Sequence, residues 1–398
     1  MDKKKFHLPS VLTIAAAHFF HDVYSYFLSP VLPIIRETLG ISYSQAGLLS
    51  ILQRFPAILN PLIGGFASKK PGSLILALSI LATSLSMCFI TKAPSYLVLS
   101  LLILTMGLSS CFFHIPAPVM IRKYAGTRTG TGMSFYMFGG ELARAAAPIV
   151  ILSAISLWGI YKVYYLIPFA IIFGFFLIFK FKKDENWYFG SKNIEFNEKD
   201  KNEEPFLKVI GKMKLFFFSA FMIMMARASI AATLNAFLPT YLNSTGASLW
   251  FSGISLSIFQ VSAAAGTMLA GPAADRFGKN NTLLFITFFS PILMFLFLFL
   301  GNSFLMLTII LTGFVASSPS PVVMAYVQEA SGKNHTICSS IYMMIDFLTI
   351  GLSIILTGIL ADYFNNDLKP AFMICGIISC FGFPFVLLLR KIKHVTNS

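Results

Sequence analysis

Three residues within one helical turn open the chemistry of this chain: His18, His21 and Asp22, in the stretch HFFHDVYSYF. Their spacing of i, i+3 and i+4 puts a carboxylate and two imidazoles on one helix face. The run around them, residues 9–35, is otherwise apolar and long enough to cross a membrane. A charge at the centre of a bilayer costs at least about 2.5–3.5 kcal/mol on insertion scales, so a chain keeps one there for a purpose. Such an aspartate can take up and release a proton, because burial favours the neutral carboxyl and a nearby guanidinium favours the carboxylate. Imidazole titrates near neutrality and can join that relay. Two other roles stay open. Asp22 can simply hydrogen-bond a neighbouring helix. His18, His21 and Asp22 can ligate a metal, although the sequence holds no second cluster with ligand spacing.

The same pattern recurs downstream. His114, Glu141, Arg144, Arg227 and Asp346 all lie deep in apolar runs, and Arg54 lies nearer one end of its run. His114, Glu141 and Asp346 join Asp22, His18 and His21 as the expected proton-coupling groups. Glu141 and Arg144, at i and i+3, can instead form a structural ion pair. Arg227 has no carboxylate at i±3 or i±4, so its partner comes from another helix or from a ligand; an unpaired guanidinium suits a carboxylate or phosphonate. Asp346 lies one position from the internal-repeat equivalent of Glu141 and is a candidate counter-carboxylate to it. The expected substrate-binding set is Arg227, Arg144, Arg54, Tyr24, Tyr26, Tyr136 and Tyr342, with an outer gate as the other role for Arg54.

The elements that must position these groups are membrane spans. The chain has 398 residues, 56% of them hydrophobic and only 12% charged, against about 25% charged in soluble domains. Apolar runs of spanning length occur at about 9–35, 45–67, 73–91, 95–121, 129–157, 161–180, 214–242, 250–273, 281–300, 303–327, 335–361 and 370–389. Twelve helices follow, since runs this long and uniform are not barrel strands. The opening MDKKKFHLPSVLTIAAA resembles a secretory signal, but its apolar run is too long for one, and a retained first span is expected. Residues 181–212 are polar and mixed in charge and divide the chain into bundles at 1–180 and 213–398. The end of this linker, EEPFLKVIGKMK, has the composition of a short amphipathic surface helix.

Net charge is +14, yet the basic residues cluster in loops rather than in a nucleic-acid-binding surface. Alternate loops carry 23 Lys and Arg, including Lys3 to Lys5, Lys69, Lys70 and the linker; the opposite side carries four, Arg36, Lys92, Lys162 and Lys369. By the positive-inside rule both termini are cytoplasmic. The five cysteines fall in apolar runs and read as small packing residues. Residues 73–91, 163–179, 282–300 and 371–389, in spans three, six, nine and twelve, carry no Asp, Glu, Lys, Arg or His.

A shift of 206 residues aligns Leu32-Pro33, Gly40, Ser42 and Gly47 with Leu238-Pro239, Gly246, Ser248 and Gly253, and Ser134, Tyr136 and Met137 with Ser340, Tyr342 and Met343. Two related six-helix halves are a transporter plan, with the substrate site near the midplane. Paired prolines in HIPAPV and SPSPVV should bend spans four and ten. The loop GPAADRFGKN, with Gly271, Asp275, Arg276 and Gly278, resembles the cytoplasmic gate signature of the major facilitator superfamily. Its counterpart GGFASKKPGS has Ser68 where the family usually has Asp. The segments HFFHDVYSYFLSPVLPIIRETLGIS, GLSSCFFHIPAPVMIRKYAG, GMSFYMFGGELARAAAP and AYVQEASGKNHTICSSIYMMIDFLTIGLSIILTGILADYF resemble the fosmidomycin-resistance branch of that superfamily over nearly the whole chain. Glu141 and Arg144 depart from its usually uncharged span-five motif.

The resemblance implies an all-α integral membrane protein of two pseudo-symmetric six-helix bundles, exporting small molecules across the inner membrane by proton antiport and alternating access. The charged spans would line a central cavity, and the charge-free spans three, six, nine and twelve would face lipid. Uptake or exchange of a metabolite anion is the alternative. The expected partners are a small-molecule substrate, protons and membrane lipid, with no nucleic acid, no metal and no cofactor beyond the proton gradient, and the expected form is a monomer. No nucleophile–base, Walker-type or metal-protease motif points to an enzyme.

Overall fold

The computed structural model describes residues 6–59, 71–126, 129–182, 206–300, 302–331 and 335–396. They form an all-helical membrane protein with the twelve-span, two-bundle plan. Ten helical stretches among them are long and apolar enough to cross a membrane. The first two expected spans are not among the ten. Span one is broken into α1 (Leu8–Ser25) and α2 (Leu28–Leu39), with Tyr26 and Phe27 between. Pro30 explains the break: it has no N–H to offer the Tyr26 carbonyl one turn back, and its ring crowds that oxygen. Gly40, at φ +62°, then ends α2 in the left-handed conformation that glycine adopts freely. Span two is described only through α3 (Tyr43–Arg54) and a short 3₁₀ turn to Leu59. Ser68, Lys69 and Lys70 lie outside the described residues.

The remaining spans follow in order. Span three is α4 (Gly72–Cys88), and span four is α5 (Tyr96–His114) continued by α6 (Pro116–Ala125). Spans five and six are α7 (Thr129–Trp158) and α8 (Ile167–Phe181). At the end of the expected linker, α9 (Phe206–Lys212) meets α10 (Lys214–Ser244) at Met213. Then come α11 (Leu249–Phe277), α12 (Lys279–Phe299), α13 (Leu305–Ala316) with α14 (Pro319–Ala330), α15 (His335–Tyr363), and α16 (Leu368–Cys380) with α17 (Gly382–Thr396). Both proline pairs interrupt their spans, Pro116 and Pro118 after His114, and Pro319 and Pro321 after Ala316.

Packing separates two compact units: Met1–Ile41, Leu49–Phe196 and Gly246–Ser257 in the first, and Ser42–Leu48, Asn197–Thr245 and Ile258–Ser398 in the second. Each thus includes a short segment from the other half of the sequence. In the second unit, Asp362 near the end of α15 accepts from the backbone N–H groups of Tyr43 and Ser44 at 2.7 and 2.8 Å. This caps the first turn of α3, where helical N–H groups otherwise lack acceptors.

Lipid gives helices no hydrophobic drive to associate, so close backbone approach and hydrogen bonds hold them. In the first unit α1 and α7 meet at Gly139, where a Cβ would stand 2.3 Å from the Ala15 carbonyl oxygen. The second unit is built on apolar packing among Phe216, Phe217, Met224, Leu283, Val323 and Ile341.

One sequence expectation is corrected here. Span three, free of charges, reads as a lipid-facing helix, yet 67% of its apolar window is buried, against 28% for span six. Its Ser79, Thr83, Ser84 and Ser86 all point into protein. Hydroxyls satisfy themselves among helices without carrying charge, so a count of ionisable residues misses them.

Candidate functional site

The first unit gathers His18, His21, Asp22, His114 and Tyr136 around one carboxylate. Asp22 is reached by three imidazoles: His21 Nδ1 to Oδ1 at 2.8 Å, His18 Nε2 to Oδ2 at 3.2 Å and His114 Nε2 to Oδ1 at 3.4 Å. The α1 spacing delivers His18, His21 and Asp22. His114 is the last residue of α5, placed by the proline break that follows it. Tyr136 comes from α7; its ring stacks on His18 at 4.0 Å between centroids, and its hydroxyl lies 3.0 Å from His114 Nδ1. Phe113 stacks on His21 at 4.3 Å. His18, His21, Asp22 and Tyr136 are buried, whereas the His114 side chain is 39% exposed. Gly140 on α7 makes the room: a Cβ there would fall 2.5 Å from His18 Cε1.

Donor counting shows what the cluster must carry. His18 Nδ1 lies 2.7 Å from the backbone carbonyl of Tyr136. A carbonyl only accepts, so that nitrogen bears the hydrogen. In neutral His18 the other nitrogen, Nε2, then presents a lone pair to an Asp22 oxygen, and two acceptors face each other in a dry site. An added proton between them turns the clash into a charge-assisted hydrogen bond. The arrangement therefore has a place for a proton beyond the neutral imidazole and the bare carboxylate. The facing atoms of His18, Asp22 and His114 also lie within 4.8 Å of one another, near enough to close on a metal ion.

Sequence reading missed a further shell. His21 Nε2 lies 3.1 Å from Thr83 Oγ1 on α4; Thr83 Oγ1 lies 2.7 Å from Ser109 Oγ on α5; Ser109 donates to the Ser79 carbonyl at 2.6 Å. The available signal was Ser79 and Thr83 at i and i+4 in a run without charged residues.

The other expected residues fall into separate places. Glu141 is engaged by Arg144 on its own helix at 3.0 Å, and the Arg144 guanidinium lies over the Tyr26 ring at 5.4 Å. Tyr24 is buried and spends its hydroxyl on the Leu166 carbonyl at 2.7 Å. Arg54 donates to the Ser50 carbonyl at 3.3 Å. In the second unit Arg227 is not the unpaired cation considered above: α15 supplies Asp346 at 3.0 Å. Asp346 is accordingly the counter-ion of Arg227, where the repeat suggested a counterpart to Glu141. Tyr342 binds Ser320 through its hydroxyl, at 2.7 Å from Oγ. The Nε atoms of both Arg144 and Arg227 are buried without an acceptor among the described residues.

The gate segment also differs from its expected form. Gly271 does not begin the turn, because α11 runs on to Phe277; the chain turns at Gly278, whose φ is +86°. Asp275 and Arg276 are exposed on the last helical turn. Lys279, just beyond, pairs with Glu329 of α14 and lies 5.9 Å from the centroid of the Tyr326 ring.

Comparison with known proteins places this architecture. The fosmidomycin resistance protein of Escherichia coli (strain K12) is 22% identical over 377 residues, covering 93% of this chain and 90% of that protein. The uncharacterized MFS-type transporter YfnC of Bacillus subtilis (strain 168) is 25% identical over 350 residues, 87% of this chain and 83% of the other. Among solved structures, a bacterial homologue of the human lysosomal transporter Spinster, inward-facing and unoccupied, has a TM-score of 0.75 at 16% identity, covering 96% of this chain and 95% of that one. The D-xylose–proton symporter gives 0.70 at 14% identity, covering 97% and 98%. These structures speak for the fold alone. The profile of the Major Facilitator Superfamily, however, matches residues 14–301 and 216–398, nearly the whole sequence. The chain thus belongs to the Major Facilitator Superfamily and is a multi-pass membrane transporter rather than an enzyme.

Proposed function

We propose that this transporter is a proton-coupled antiporter that exports a small organic, anionic compound by alternating access. It sits in the inner membrane with both termini cytoplasmic, works as a monomer, and draws on the proton gradient alone. The observation that carries the reading is the His18–Asp22 contact: the Tyr136 carbonyl fixes the hydrogen on Nδ1, so Nε2 and the carboxylate meet through an added proton. A site built to gain and lose that proton couples its charge to transport. The buried Nε–H groups of Arg144 and Arg227 have no acceptor among the described residues, which favours a cargo that brings its own, as a carboxylate or phosphonate does. The name of the fosmidomycin resistance relative favours export. Proton-coupled uptake is the second reading, favoured by a solved proton symporter of the same fold.

The test is flux in proteoliposomes carrying a pH-sensitive dye, in EDTA, with fosmidomycin and a panel of small organic acids. Proton movement opposite to the compound is the expected result. Movement in the same direction establishes the second reading, and compound flux with no proton movement overturns both.

A further inference from the structure

We propose that Thr83 and Ser109 are positioning residues of the proton carrier: they lock His21 in the Nε2–H form, so that its Nδ1 lone pair faces Asp22. The inference rests on the reading of Asp22 as the proton carrier, but it stands on different atoms.

The chain of contacts has one end where direction is forced. Ser109 Oγ lies 2.6 Å from the Ser79 carbonyl, which can only accept, so the single Ser109 hydrogen is spent there. Ser109 must then accept from Thr83 at 2.7 Å. The single Thr83 hydrogen is spent in turn, so Thr83 accepts from His21 Nε2 at 3.1 Å. His21 is fully buried, and its remaining nitrogen, Nδ1, is 2.8 Å from Asp22 Oδ1. Two hydroxyls on neighbouring helices thus decide which imidazole nitrogen is free. With Nδ1 bare, the His21–Asp22 contact closes only when a proton lies between the two.

His18 reaches the other Asp22 oxygen under the same constraint, set by the Tyr136 carbonyl. Asp22 is therefore flanked on both oxygens by imidazoles that offer a lone pair. The hydroxyl chain ends on a carbonyl and passes no proton onward. His114, the partly exposed member of the set, is then the port through which protons reach Asp22. The groups that bear on this equilibrium are His18 on α1, His114 on α5, and Tyr136 and Arg144 on α7, with Tyr26 at longer range. If Thr83 is removed, His21 loses its Nε2 acceptor. Its favoured neutral form becomes Nδ1–H, which donates to Asp22 and stabilises the carboxylate.

The test is ¹⁵N NMR of histidine-labelled full-length protein in lipid nanodiscs, with the His21 resonances assigned by their loss in His21→Asn. In the wild-type protein, above the pH at which the pair releases its proton, neutral His21 is expected as the Nε2–H form. Thr83→Val is expected to switch it to Nδ1–H and to move the transport midpoint to lower pH by about one unit, the scale of one hydrogen bond to a charged group. Thr83→Ser, which keeps the oxygen, is expected to restore both. A wild-type Nδ1–H form overturns the proposal without any variant, and so does Thr83→Val with the tautomer unchanged. The tautomer is read without cargo, so this result is separate from the flux assay, whose failure would leave the positioning intact and remove only its use in transport.

Discussion

The two halves of the chain use one scaffold for different chemistry. Adding 206 to positions 18, 114 and 136 gives 224, 320 and 342. In the first half the Tyr136 hydroxyl meets His114 at 3.0 Å and its ring lies on His18. In the second the Tyr342 hydroxyl meets Ser320 at 2.7 Å and approaches Met224 Sδ at 4.0 Å. The tyrosine keeps its place while both imidazole neighbours are replaced, one by a thioether and the other by a hydroxyl. The same shift takes His21 to Arg227 and Gly140 to Asp346. Where the first half leaves space for an imidazole, the second puts a carboxylate that answers a guanidinium. Arg stays protonated in proteins whereas His does not. On the proposed reading, one half is equipped for protons that come and go, while the other holds the Arg227–Asp346 charge pair.

That contrast breaks most readily at the two aspartates. Asp22→Asn is expected to reduce proton movement in proteoliposomes to background, because the amide cannot hold the added proton. Asp346→Asn is expected to leave proton movement measurable and to change the apparent affinity for the compound, since it frees Arg227. Equal loss of proton movement in both variants would mean that the halves share the proton task. The next effect is on stability. Arg227→Ala leaves Asp346 without its partner at a cost of about 1–3 kcal/mol, read as a lower thermal midpoint in detergent, and Arg227→Ala with Asp346→Ala recovers part of it. His21→Ala leaves Asp22 two further imidazoles, so its cost should be the smaller of the two. A larger cost for His21→Ala would place the rigid pair in the wrong half.

Much of this was legible in the sequence, and the reasons for the rest are physical. Ionisable groups in hydrocarbon are expensive, so Asp22 with His18 and His21 stood out, and the 206-residue shift was visible in scattered identities. The break at Tyr26 was less visible, because Pro30 sits where a proline can also be tolerated near the start of a helix. The Arg227–Asp346 pair joins helices that sequence spacing cannot bring together. Thr83 and Ser109 were hidden because a hydroxyl in a membrane helix usually bonds its own backbone one turn back, as Thr105 does to Leu101; only coordinates show one reaching an imidazole. The gate motif misled at Gly271, since a glycine followed by Pro272 reads as a turn and yet α11 absorbs both.

The finest test of the comparison uses the two tyrosines, whose hydroxyls touch an imidazole in one half and a serine in the other. Tyr342→Phe removes the contacts with Ser320, a loss of about 0.5–1.5 kcal/mol that should appear in the thermal midpoint and leave the shape of the transport–pH profile alone. Tyr136→Phe should cost a similar amount in stability. It also removes the partner of His114 Nδ1, so that the partly exposed imidazole chooses its tautomer from water and Asp22 alone. The profile should then move or broaden, while the carbonyl bond to His18 is kept, because it comes from the Tyr136 backbone. A profile unchanged in Tyr136→Phe, at the same stability loss as Tyr342→Phe, would show that the hydroxyl only packs α7 against its neighbours, and that His114 takes its orientation from Asp22.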